Sequence, residues 1–227
     1  MKKLLISLSC LLLAASARSQ ELSLIPFQRG STPVYYAFRT DQDIIIRISE
    51  NGQLLKWGTG WNYYRYNYTD TLVPYTGRVD YYGQEYDSVS RGKVKSIGTC
   101  SITYYGAFEL PGKAGKIKSI GRTRMDYYDD FENQSLRGKI KSAGSLYFTY
   151  YASYENEAFR GKLKMVGTST ITYYSSFDDK NIQGKVKSIG PFNYTWYTQN
   201  DSRGYPGTLK SGEYKQNVAG VIYLILN

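Results

Sequence analysis

The string Gly92-Lys93-Val94-Lys95-Ser96-Ile97-Gly98 returns at Gly115, Gly138, Gly161 and Gly184, and in part at Gly207. The interval is 23 residues each time, with no insertion. A fixed period of this length means that one supersecondary unit has been copied and that each copy packs against its neighbours. This constrains the fold more than any other feature of the chain.

With the glycine as position 1, lysine fills positions 2 and 4 of all five full copies. Position 3 is Val94, Ile117, Ile140, Leu163 or Val186, and position 7 is Gly again. Position 11 is Ile102, Met125, Phe148, Ile171 or Tyr194, and position 13 is Tyr104, Tyr127, Tyr150, Tyr173 or Trp196. Position 14 is always tyrosine: Tyr105, Tyr128, Tyr151, Tyr174 and Tyr197. Position 17 is Phe108, Phe131, Tyr154 and Phe177, then Asn200. Two short strands fit each copy, a over positions 2–6 and b over positions 10–14, with a tight turn at position 7. An acidic connection follows position 17. Simple alternation puts positions 2 and 4 on one face and 3 and 5 on the other. The glycines have two readings: tyrosine rings cover them as bare backbone, or they simply make turns.

The fold class is therefore all-β: an antiparallel meander of tandem 23-residue β-hairpin repeats, as an open twisted sheet or a closed barrel. The alternative is a parallel β-helix, with one coil per repeat. Stacked coils would place like lysines about 4.8 Å apart in columns, which destabilises a sheet. In the meander, equivalent strands lie two spacings apart, about 9.5 Å. The array resembles exported bacterial proteins of unknown function that carry Gly-Lys-x-Lys-Ser-Ile-Gly and Ile-x-Tyr-Tyr repeats. The likeness spans Gly92 to Gly212 and implies no activity. MORN repeats share the period but not the Gly-Tyr spacing, so the similarity there is one of hairpin shape.

Outside the array the reading is coarser. Residues 1–19 read as a signal peptide, with Lys2 and Lys3 before an apolar run and Ala15-Ser16-Ala17 as the cleavage pattern. Cys10 lies inside that run and raises a lipid-anchor alternative. Residues 20–91 form an N-terminal β region. Gln20 to Thr40 shows no period; Val34 to Phe38 and Asp43 to Ile48 read as strands. Gly52 and Gly58, followed by Tyr63-Tyr64, read as a degenerate repeat, and Gly77 to Tyr82 as a shortened one. The regular repeats occupy 92–212, and 213–227 is a capping strand that pairs with Asp43 to Ile48 if the sheet closes.

Histidine is absent from the sequence. That removes Ser-His-Asp and Cys-His catalysis and the usual zinc sites. No cofactor or metal is expected; Asp178-Asp179-Lys180-Asn181 lacks EF-hand spacing. The adjacent acids Asp129/Asp130 and Asp178/Asp179 would serve a hydrolase of envelope polysaccharide only if two carboxylates faced each other across a cleft. Asn67, Asn133, Asn193 and Asn200 stand in glycosylation sequons, which carry little weight in a bacterial export product. Cys100 remains alone once the leader is gone, so no intrachain disulfide forms.

The formal charge of +10 falls to +8 when Lys2 and Lys3 leave with the leader, and that favours acidic partners. The expected function is an exported, non-enzymatic binding or scaffolding module of the cell envelope. The candidate contacts to an anionic polysaccharide are Lys95, Lys118, Lys141, Lys164 and Lys187 with Tyr105, Tyr128, Tyr151, Tyr174 and Tyr197. No nucleic acid and no transmembrane segment is expected, and the location is secreted or periplasmic. The bland counter-reading is that the lysines only solvate the sheet and block its edges.

Overall fold

A computed structural model describes residues 21–61 and 71–226. The residues read as a signal peptide, together with Tyr63-Tyr64 and Asn67, lie outside the described residues. Within them the chain is all-β, with 21 strands and no helix. The first six strands are β1 (Glu21–Gln28), β2 (Thr32–Pro33), β3 (Tyr36–Arg39), β4 (Ile44–Ile48), β5 (Leu54–Trp61) and β6 (Leu72–Val73). The meander follows as β7 (Val79–Tyr81), β8 (Val94–Ile97), β9 (Cys100–Tyr104), β10 (Ile117–Ile120), β11 (Thr123–Tyr127), β12 (Ile140–Ala143) and β13 (Leu146–Tyr150). It continues through β14 (Leu163–Val166), β15 (Ser169–Tyr173), β16 (Val186–Ile189), β17 (Phe192–Asn193), β18 (Thr195–Trp196) and β19 (Leu209–Ser211). The chain closes with β20 (Lys215–Val218) and β21 (Val221–Leu226).

Strands β7 to β17 pair in sequence order as one antiparallel sheet, and β18 and β19 extend the same a–b rhythm. The sheet is open, which removes the barrel and the parallel coil. Neighbouring strands a and b meet at the position 7 turn, where position 5 pairs with 10 and 6 with 9. Across the longer connection, position 3 of the next copy pairs with 13, and 5 with 12, skipping position 4. Each copy therefore carries a β-bulge at its second lysine. The bulge corrects the simple alternation: positions 3 and 6 both turn inward, as at Ile117 and Ile120, while positions 4 and 5 turn outward. Positions 1 and 7 are turn glycines, with φ of +72° and +53° in the second copy. No tyrosine ring covers Gly115, Gly144 or Gly167, so the turn reading stands.

The second sheet has the order β20-β21-β1-β3-β4-β5-β6 and covers the inner face of the meander. It corrects three expectations. Gln20 to Thr40 contains β1, whose residues from Leu22 to Phe27 are almost all buried, so no alternation shows. Pro26 interrupts no ladder, because it falls where β1 exchanges partner β3 for β2. The final strand β21 pairs in parallel with β1 rather than with Asp43 to Ile48. The Gly52–Gly58 spacing is not a repeat, because β5 runs straight through Gly58 and pairs with β4 in this sheet. Gly77 to Tyr82 does belong to the array, as a lone strand b: Tyr82 takes the position 14 role.

The two sheets share one core, in which Tyr36 meets Phe148 edge-on at 5.5 Å. They are also pinned through the backbone. Ile117 and Ile140 donate their N–H groups to the carbonyls of Gly52 and Glu50, both at 3.0 Å, and Val186 donates to Gly30 at 2.6 Å. Gly52 is required twice over: its φ is +73°, and a Cβ there would stand 2.1 Å from the Tyr127 hydroxyl. Gly92 has a similar φ with open space around it. Gly92→Ala should cost about 1–2 kcal/mol, the left-handed penalty alone, and Gly52→Ala about 3 kcal/mol or more, because it also displaces a buried ring. Denaturant unfolding of both variants checks this; equal costs would contradict the packing described.

Candidate functional site

The expected lysine and tyrosine rows occupy one region, and the copies use them on each other. In the first four copies the position 14 hydroxyl donates to the position 11 carbonyl of the next copy: Tyr105 to Met125 at 2.8 Å, Tyr128 to Phe148 at 2.9 Å, Tyr151 to Ile171 and Tyr174 to Tyr194 at 3.0 Å. Each of the rings of Tyr105, Tyr128 and Tyr151 meets the position 13 ring of the next copy edge-on, at 5.9–6.1 Å. The position 13 groups donate within their own copy, as Tyr127 does to the Ile117 carbonyl at 2.7 Å and Trp196 to Val186 at 2.8 Å. Tyr150 departs from this. Its hydroxyl lies buried near Tyr36 and Glu50, and burial pushes both phenols well up.

The lysines are committed in the same way. At position 2, Lys93, Lys116 and Lys162 each donate to the next copy's first glycine carbonyl at 2.5 Å, and Lys139 donates to that of Gly161. Their ammonium groups sit over the position 13 rings at 4.8–5.3 Å. Burial lowers several of them, Lys162 to about 8. Lys139 also pairs with Glu50 at 3.1 Å, tying the second sheet to the meander.

At position 4, Lys118, Lys141, Lys164 and Lys187 lie over the preceding copy's Tyr105, Tyr128, Tyr151 and Tyr174 at 4.8–5.6 Å. Three of these lysines also reach an acid at position 18 of that copy: Lys118 to Glu109 at 3.8 Å, Lys141 to Glu132 at 3.4 Å and Lys164 to Glu155 at 2.9 Å. Lys95 donates to the Tyr86 hydroxyl at 2.8 Å, and Lys210, over Tyr197, pairs with Asp201 at 2.5 Å. The candidate lysines and tyrosines therefore all have partners within the chain. Lys118, Lys141 and Lys164 are paired with acids of the connections, Lys95 with the Tyr86 hydroxyl, and Lys187 lies over Tyr174; the position 14 hydroxyls of Tyr105, Tyr128, Tyr151 and Tyr174 are occupied by carbonyls.

What stands free is position 17. Phe108, Phe131, Tyr154 and Phe177 are 103%, 88%, 86% and 95% exposed. They recur once per copy, roughly 9.5 Å apart if the connections follow the strands. The backbone around them is fixed. Asn133 at position 19 accepts from Ser135 N in its own turn and from Ser153 N in the next copy, at 3.1 and 3.2 Å. Asn156 does the same with Ala158 and Ser176, and Asp179 with Asn181 and Gln199. Where Leu110 replaces the acceptor, Asp130 compensates by accepting from Gly112 N at 3.1 Å. The adjacent acids are spent on this scaffolding: Asp129 accepts from Phe131 N and Asp178 from Ser175 N. The 23-residue period already displayed this aromatic row; its signal was a large ring placed among polar connection residues.

This defines a class: an open tandem-hairpin array roofed by a second sheet, presenting a single file of exposed rings. No protein-family model, curated protein or solved structure matches the chain.

The titrations follow from the burial. Desolvation raises Tyr194 and Tyr223 from 10.0 to about 12, and Tyr173 well above 10.0. A raised phenol adds stability that is whole below pH 10.0 and fades as the unfolded chain ionises above it. Tyrosinate absorbance should therefore lag in alkali and then jump with cooperative unfolding; a smooth titration of every tyrosine with the fold intact would contradict this. In acid the sign reverses. Asp201 is held down to about 2, first by Lys210 and then by the Thr198 amide and hydroxyl. Its contribution is whole above 3.8 and fades toward pH 2, so the thermal midpoint should fall across that window. A flat midpoint through that window would count against it.

Proposed function

We propose that this chain is an exported, non-enzymatic binding module of the cell envelope that holds an extended polysaccharide along the position 17 row. One observation carries the reading: four rings at the same position in successive copies are almost wholly exposed on backbone fixed by side-chain bonds. Exposed apolar rings in a row are costly to leave in water and mark a contact surface. Their flat faces suit the apolar faces of pyranose rings, and their repeat is close to the length of a disaccharide in an extended chain. Glycan specificity then comes from stacking. The net charge adds only weak, salt-sensitive attraction for anionic polymers.

A binding role also agrees with the acids. Asp129, Asp130, Asp178 and Asp179 serve connection amides, whereas a hydrolase needs carboxylates converging on one bond. The test is retention on insoluble envelope and extracellular glycans, neutral and anionic, with lipid vesicles as a control. The wild type should be retained on at least one glycan and stay bound as salt rises. Replacing Phe108, Phe131, Tyr154 and Phe177 together by alanine should leave the thermal midpoint unchanged and reduce retention at least tenfold. Equal retention of the variant, or binding to vesicles alone, would overturn the proposal.

A further inference from the structure

The two ends of the meander are complementary. It begins with a strand b, β7, and ends with a strand a, β19. Among the described residues β7 pairs only with β8, and β19 only with β18. Everywhere inside the array the outer edge of a strand a is taken by the following strand b through the position 7 turn. After β19 that strand is missing, because the chain crosses to β20 in the other sheet. Before β7 the matching strand a is missing, because the chain arrives from β6.

The side chains show the same two vacancies. Tyr197 at position 14 should donate to a position 11 carbonyl 20 residues on, as Tyr82, Tyr105, Tyr128, Tyr151 and Tyr174 do. That residue is Asn217, which belongs to β20 and pairs with Ile222. Tyr81 at position 13 should donate to a position 3 carbonyl ten residues earlier, as Tyr104, Tyr127 and Tyr173 do. That residue is Thr71, which lies outside the meander, and Tyr81 is 55% exposed.

We propose that copies of this chain associate head to tail, β19 of one pairing with β7 of the next in the register of the internal turn. Each vacancy fills the other. Ser211 at position 5 lies opposite Arg78 at position 10, and Gly212 opposite Gly77. Tyr197 gains the Val79 carbonyl of the next copy, and the next copy's Tyr81 gains the carbonyl of Leu209. The Tyr197 and Tyr81 rings complete the edge-on ladder. Because the two surfaces differ, the contact is heterologous and does not close at two; it propagates into a filament, or into a ring where the rotation between copies closes. Both edge strands are three residues long, and β19 is polar and exposed at Lys210 and Ser211, so association is reversible rather than an aggregation seam.

The test uses variants of the full chain that each add one exposed cysteine, in a Cys100→Ser background that removes the buried free thiol. Ser211→Cys and Arg78→Cys both lie on exposed positions, and Arg78 loses only a surface pair with Asp80. Under mild oxidation the mixture should give a disulfide-linked dimer at least tenfold above either variant alone. No dimer in the mixture, or equal dimer from each variant alone, overturns the proposal, the latter because it reports a different contact. Sedimentation of the unsubstituted chain is the second readout. Species that lengthen with concentration are expected; a size that stays at one protomer or stops at two overturns the head-to-tail model.

Discussion

Bonds from one copy's side chains to the next copy's backbone hold this molecule together. A two-stranded hairpin is marginal in water, and the strands here are only four or five residues long in the first four copies, with strand b of the fifth split into two pieces of two. Packing of their inner faces against the second sheet adds to their ladder bonds. Each of the first four copies adds a tyrosine hydroxyl on the next copy's position 11 carbonyl and a lysine on its first glycine carbonyl. A neutral bond of this kind is worth about 1 kcal/mol net, and the accompanying edge-on ring pair about 0.5–1.5 kcal/mol. Each spans one interface, so stability accumulates copy by copy, as in other one-dimensional arrays.

This commitment decides what the surface can do. Lysines that lie over rings, three of them also beside carboxylates, are less available to a polyanion than a row of unpartnered ammonium groups. The inner face is lost to the second sheet. That leaves the connections, where the position 19 acceptors fix the backbone and the position 17 rings point out with no partner among the described residues. The proposed glycan contact and the proposed end-to-end contact use different parts of the repeat. One runs along its connections; the other completes its strand order.

The architecture was largely legible because the period is exact in length and the charge argument separates meander from coil. Which face each residue takes was not. The bulge at position 4 puts Ile120 and Ile117 on one side although they are three apart, and no periodicity of two predicts that. The second sheet was partly hidden, because β1 and β4 are buried on both faces and so read as continuous apolar runs. The partners of the candidate lysines and tyrosines were hidden for a chemical reason. Lysine and tyrosine look like surface groups in a sequence, and only coordinates reveal that the carbonyls awaiting them sit one copy away. The aromatic row was visible, but its exposure depends on where the connection leaves the sheet.

The most direct measurement is equilibrium unfolding of Tyr128→Phe, Tyr151→Phe and Tyr174→Phe, singly and combined. These variants remove three hydroxyls that cross three successive interfaces and leave the rings in place. The account predicts about 1 kcal/mol lost per substitution and near-additivity in the triple variant, about 3 kcal/mol in all. A triple variant within a few tenths of a kcal/mol of the parent would show that the copies are held by something else.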